Sequence, residues 1–119
     1  MGLTYIGGQA RGNEGQVEAI NFLVDSGAAY SLLPLPVWQS LGLRATRGER
    51  FVLVDGTVIS RDISFCYLVL PQGEGYSPVV LGEEGDNQAL LGAVTLENLG
   101  LVLNPFSRTL HPMRLLWRG

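Results

Sequence analysis

A chain of 119 residues can bury one hydrophobic core but not two lobes, which excludes an enzyme that carries both halves of a bilobal site in one polypeptide. Its formal charge is −3 and all eight basic residues are Arg, so no basic stripe is available and nucleic acid is set aside as a partner. Cys66 is the only cysteine, which rules out an intrachain disulfide, and no Cys/His cluster has metal-ligand spacing, so neither a metal nor a cofactor is expected. No signal-like charged and apolar pair of regions occurs, and no apolar run approaches the length that spans a bilayer. The expectation is a soluble, cytoplasmic protein with no membrane partner.

From the N-terminus, the β-formers of Met1 to Ile6 lead into Gly7-Gly8 and a polar, Gly-rich stretch from Gln9 to Gly15, after which Gln16 to Ile20 alternates again. This predicts a first hairpin with a loose loop, its second strand running into Asp25. Tyr30 to Leu33 reads as a short strand. Pro34 and Pro36 then introduce Val37 to Leu41, with Gly42 behind it, and proline at the first turn with glycine past the end suits a short helix. Phe51 to Val54 and Thr57 to Ser60 flank Asp55-Gly56, a hairpin signal because both central residues tolerate positive φ. Asp62 to Leu70 continues as a strand, with Cys66 as a buried, inert thiol in it. Pro71 to Gly75 is a turn, Tyr76 to Leu81 a strand, and the acidic loop Gly82 to Asn87 solvated surface. Ala89 to Leu91 is apolar up to Gly92, Ala93 to Leu99 fits a short helix stopped by Gly100, and Leu101 to Asn104 and Arg108 to Met113 read as strands around a Pro105 to Ser107 turn. The only histidine, His111, has no nucleophile loop nearby and reads as structural.

One carboxylate stands out against this pattern. Asp25 lies between Phe22-Leu23-Val24 and Tyr30-Ser31-Leu32-Leu33, both of which read as buried strands. A lone acid there must ionise with hydrogen-bond partners or share a proton with a second carboxylate. Ser26 puts a hydroxyl beside it, and Gly27 lets the backbone turn where a side chain would obstruct.

The segment Phe22 to Ala28 resembles the active-site loop of aspartic peptidases in its single-domain, retropepsin-like form, in which apolar residues precede Asp-Ser/Thr-Gly-Ala. The order of the following signals is similar too: an Asp55-Gly56-Thr57 hairpin where that family has its flap, then Leu90-Leu91-Gly92 leading into a helix and a strand. The resemblance spans roughly Gln16 to Leu110 and is closest to the small bacterial and archaeal members. It implies a mostly β, closed-barrel domain over residues 1–119, with a flap hairpin and two short helices, that works as a homodimer. By that resemblance Asp25 is the catalytic acid, Ser26 bonds across the dimer, Gly27 and Ala28 complete the loop, Asp55, Gly56 and Thr57 belong to the substrate-binding flap, and Leu90, Leu91 and Gly92 support the site. The implied activity is peptide-bond hydrolysis on a peptide or protein substrate, by water held between two Asp25 carboxylates, one from each copy.

Two departures bear on the dimer. Viral members have an acid after the loop Ala and an Arg after the second-motif Gly, which pair; this chain has Ala29 and Ala93 there. Losing both strands no charge, but the dimer must be secured otherwise, and Met1 to Ile6, Leu110 to Leu116 and Trp117 are the candidates. Two other readings fit the same residues: a peptide-binding or dimerisation module of the same fold without turnover, and a structural β-domain in which Asp25 is only a turn residue.

Overall fold

A computed structural model of the chain describes residues 2–114, 116 and 117. Met1 and Leu115, which belong to the two terminal segments expected to secure a dimer, lie outside the described residues. The protein is mostly β, with nine strands and two short helices among the described residues.

The first strand, β1 (Tyr5–Arg11), pairs antiparallel with β2 (Val17–Val24) in the register Tyr5 opposite Leu23. The stretch from Gln9 was expected to be loop. It is strand through Arg11 instead, because β1 also crosses β5 (Val58–Leu70), with Gln9 opposite Val69. That crossing explains a glycine that looks like a strand breaker. A Cβ on Gly8 would stand 2.4 Å from the Val69 carbonyl oxygen, so only glycine lets the two backbones meet there. In β2 the inward alternation is as read, with Ile20, Phe22 and Val24 all buried.

Ser31–Leu33 forms β3, followed by α1 (Leu35–Ser40) with Pro34 at its N-cap and Gly42 beyond it at φ +69°. The Trp38 indole N–H donates to the Gly82 carbonyl at 2.8 Å and ties α1 to the loop after β6 (Gly73–Leu81). β4 (Arg47–Val52) and the 13-residue β5 form the expected hairpin. Its turn has a different geometry from the one expected: Gly56 alone takes positive φ, at +87°, and Asp55 acts through its side chain, accepting the Thr57 N–H at 2.9 Å. The turn before β6 is confined to Pro71 and Gln72, since Gly73 already pairs with Leu70.

The two residues of β7 (Leu90–Leu91) lie between β2, to which they run parallel, and β3, to which they run antiparallel. The sheet order is β1-β2-β7-β3-β6-β5-β4, with the further pairing of β1 and β5. α2 (Ala93–Asn98) follows, ended by Gly100 at φ +67°, and β8 (Leu101–Asn104) and β9 (Thr109–Pro112) make a separate two-stranded sheet. One core runs through the molecule, with Phe22, Leu33, Leu68, Leu91 and Leu101 fully buried in it. No helix of the described residues is long and apolar enough to cross a membrane.

Candidate functional site

The site is built where two chain segments cross. β2 delivers Asp25, whose N–H donates to the Leu91 carbonyl at 2.9 Å; the chain then turns tightly, the Ala28 N–H donating back to the Asp25 carbonyl at 3.1 Å. The Gly27 N–H donates to Asp25 Oδ1 at 3.0 Å and is the one donor to this carboxylate among the described residues. The side chain is half-buried and no described cation pairs with it.

The other segment is Leu90-Leu91-Gly92 and the start of α2. The first amides of a helix lack partners within it, and here those of Ala93 and Val94 donate to the carbonyls of Ala28 and Ala29, each at 2.9 Å. Where the family resemblance expects a charge pair between these segments, backbone bonds join them within this chain.

Gly92 is fixed by contact rather than by φ. A Cβ there would stand 2.5 Å from the Tyr30 carbonyl carbon and 2.9 Å from the Ser31 nitrogen. Behind it runs a buried polar chain that sequence reasoning missed. The Gly92 N–H donates to Ser31 Oγ at 2.9 Å, Ser31 Oγ bonds Thr95 Oγ1, Thr95 Oγ1 bonds Ser77 Oγ at 2.7 Å, and the Ser77 hydroxyl reaches the Pro78 carbonyl at 3.1 Å. One direction of donation, from Gly92 to Pro78, satisfies every member. β3, α2 and β6 are thereby locked together directly behind the Asp25 loop. The signal was the presence of Ser31 and Thr95 at inward positions of apolar elements.

A cleft of about 690 Å³ opens over Asp25. Gly27, Ala28 and Leu90 line it with Asp25, so four of the expected site residues share one concavity. Its far wall is the β4–β5 hairpin, through Phe51, Val52, Leu53, Val54 and Ile59. The expected hairpin residues Asp55, Gly56 and Thr57 are exposed at the tip and do not line the cleft. Phe51 stands opposite Ile59 in the register, so both project from one face of the hairpin, a consequence of strand alternation that could have been drawn from the Asp55-Gly56 turn. Tyr30 lines the cleft as well and meets Phe51 edge to face, ring centroids 5.8 Å apart, with the Arg47 guanidinium over its ring. Leu91 and Gly92 are buried beneath the site. Ser26 lies elsewhere: it is exposed and lines a separate, smaller cavity of about 290 Å³ with Ala93, Leu96, Leu101 and Met113.

The other reactive side chains are remote from the cleft. Cys66 is buried, donates to the Arg11 carbonyl at 3.4 Å, and burial pushes its thiol up to about 11, so it stays protonated at neutral pH. His111 is exposed on β9 and bonds Thr109 Oγ1 at 2.7 Å. Among the described residues no group of three His, Cys, Asp or Glu side chains could hold a metal ion.

No protein-family model matches the chain, and no curated protein matches it. Among solved structures it is similar to a retropepsin-like aspartic protease from Rickettsia conorii, at 23% identity over 87% of this chain and 85% of that one, with a TM-score of 0.50. That likeness, at that identity, shows a retropepsin-like fold.

Proposed function

We propose that the protein is an aspartic endopeptidase that works as a homodimer, each copy contributing one Asp25. The observation that carries this reading is the placement of a half-buried carboxylate with a single backbone donor at the floor of an open cleft, on a loop bonded to Leu91 and to the first turn of α2. A turn residue of a purely structural domain has no need of that cradle. The retropepsin-like fold supports the same reading, and the pairing of β1 with both β2 and β5 supports its closed-barrel form.

In the dimer, two carboxylates brought to hydrogen-bond distance cannot both ionise, so the pair holds one proton. The ionised member takes a proton from a water lying between them, that water attacks the scissile carbonyl, and the protonated member gives its proton to the carbonyl oxygen. Gly27, lacking a side chain, lets the substrate backbone approach, and Ser26 bonds across the dimer. The β4–β5 hairpin acts as the flap: Phe51 to Val54 and Ile59 cover an extended peptide and exclude water, while the Asp55-Gly56-Thr57 turn shapes the tip. Met1 to Ile6 and the C-terminal segment around Trp117 join the copies.

Cleavage of a peptide library by wild type and by Asp25→Asn tests the reading. The variant is nearly isosteric and is expected to lose cleavage by at least about three orders of magnitude, since the base and acid are removed together, while its unfolding midpoint stays close to wild type. Undiminished cleavage by the purified variant would sink the mechanism. A binding module of the same fold predicts instead that neither protein cleaves while both bind.

A further inference from the structure

Resting on the peptidase reading, the charged end of the cleft bears on which peptides it takes. Most of the lining is apolar, and apart from Asp25 the charged side chains among the lining residues are Arg61 and Asp86. They come from different elements. Arg61 stands on β5, opposite Glu49 and two residues beyond Ile59, on the face of the hairpin that carries Phe51. Asp86 comes from the loop between β6 and β7, which had been read as solvated surface; here it forms one wall of the cleft.

The guanidinium is shared and set back. Its Nε lies 3.5 Å from Asp86 Oδ2, its Nη1 lies 3.6 Å from Glu83 Oε1, and Nη1 also donates to the Ser60 carbonyl at 3.0 Å. Both ion pairs are long beside the 2.8 Å pair of Arg47 with Glu49. The Arg61 side chain is 20% exposed, against 31% for Asp86 and 62% for Glu83, so the guanidinium is the less accessible member of each pair. Asp86 Oδ2 is further engaged by the Glu83 N–H at 2.8 Å, whereas Oδ1 takes no hydrogen bond from the described residues. Asp25 and Asp86 set two carboxylates against the one guanidinium of Arg61 in the cleft lining, which is therefore net negative, and Glu83, exposed beside Arg61 but outside the lining, further offsets the guanidinium.

We infer that Asp86 is a specificity-determining residue that selects a lysine or arginine side chain in the peptide bound in the cleft, Arg61 holding the carboxylate in place from behind. A cationic side chain gains Asp86 Oδ1 as an acceptor without breaking the Arg61 pair. An acidic one meets like charge and is rejected.

The test is a positional peptide series in which one residue at a time is Lys, Leu or Glu. Cleavage by wild type and binding to the Asp25→Asn chain are measured on the same peptides. At one position wild type should prefer Lys over Glu by about tenfold in kcat/KM, carried mainly by KM and shrinking as salt rises. Asp86→Asn should bring that ratio close to one, and Asp86→Lys should invert it, a pattern that a merely structural role for the loop would not produce. Cleavage with no Lys preference at any position, or a preference that survives both variants, overturns the inference while leaving the peptidase reading intact. If wild type cleaves none of the series, the peptidase reading falls. The inference is then decided by binding to the Asp25→Asn chain, where equal affinity for Lys and Glu peptides overturns it.

Discussion

At the scale of single residues, Gly92 and Thr95 do as much to set the Asp25 loop as the loop itself. Gly92 lets the backbone of the second segment lie against Tyr30 and Ser31 with no room for a methyl group. Gly92→Ala is therefore expected to cost about 3 kcal/mol, the upper end for overpacking, because the atoms that would have to yield belong to backbone rather than to a flexible side chain. Urea unfolding reads this directly, and an unchanged midpoint would show that the loops part easily. Thr95→Val conserves shape but removes the hydroxyl between Ser31 and Ser77. Leaving those two buried groups without their shared partner should cost about 1–3 kcal/mol, whereas the double replacement of Ser31 and Thr95 by Ala and Val should cost less than the sum of the single changes. Asp25 was legible in the sequence because an acid between two apolar runs conflicts with its surroundings. The polar chain behind it was not, since Ser and Thr are common in strands and short helices and only the fold brings three of them together.

Among the elements, the β4–β5 hairpin shows how far local pattern reaches. Asp55-Gly56 marked its turn, but β4 ends at Val52 and β5 begins at Val58, so Leu53, Val54 and Thr57, expected as strand, belong to the connection, and the residues that face the cleft flank Asp55-Gly56-Thr57. Asp-Gly reports backbone geometry, and which face of a hairpin looks inward depends on the rest of the sheet. The turn also carries a titration. The hydroxyl of Thr57, and then its backbone N–H, hold the Asp55 carboxyl below its ordinary 3.8. A depressed folded value means that the contribution to turn order is fully present above about 3.8 and is lost as pH falls through the still lower folded value. Amide shifts of Val54, Gly56 and Thr57 should move together below that pH, and Asp55→Asn, which keeps an acceptor but not a charge, should flatten the movement. Shifts that titrate equally in both proteins would place the cause elsewhere. The opposite failure occurred just after Gly7-Gly8, where the Gly-rich stretch from Gln9 was expected to be loop and pairing of β1 with β5, with close approach at Gly8, keeps the chain in a strand through Arg11. Sequence punctuation cannot distinguish a glycine that turns from one that makes room.

At the scale of the whole molecule, these 119 residues contain one Asp-Ser/Thr-Gly loop, and the proposed reaction needs two such carboxylates. The retropepsin-like fold was legible from the order of three weak signals, Asp25-Ser26-Gly27, Asp55-Gly56 and Leu90-Leu91-Gly92, although each alone is an ordinary turn or strand end. What would join two copies in the proposed dimer was not, because the alanines at positions 29 and 93 remove the charges that would have marked the interface. The central claim is that half of each site comes from each chain, and one titration tests it most directly. Peptide cleavage is followed as inactive Asp25→Asn chain is added to a fixed amount of wild type, with sedimentation of the same mixtures to give the dimer fraction. The account predicts that activity falls as mixed dimers form, in proportion to the loss of wild-type pairs, and that dilution below the dissociation constant abolishes it. Activity that ignores the added variant and stays proportional to concentration among demonstrable monomers would contradict it.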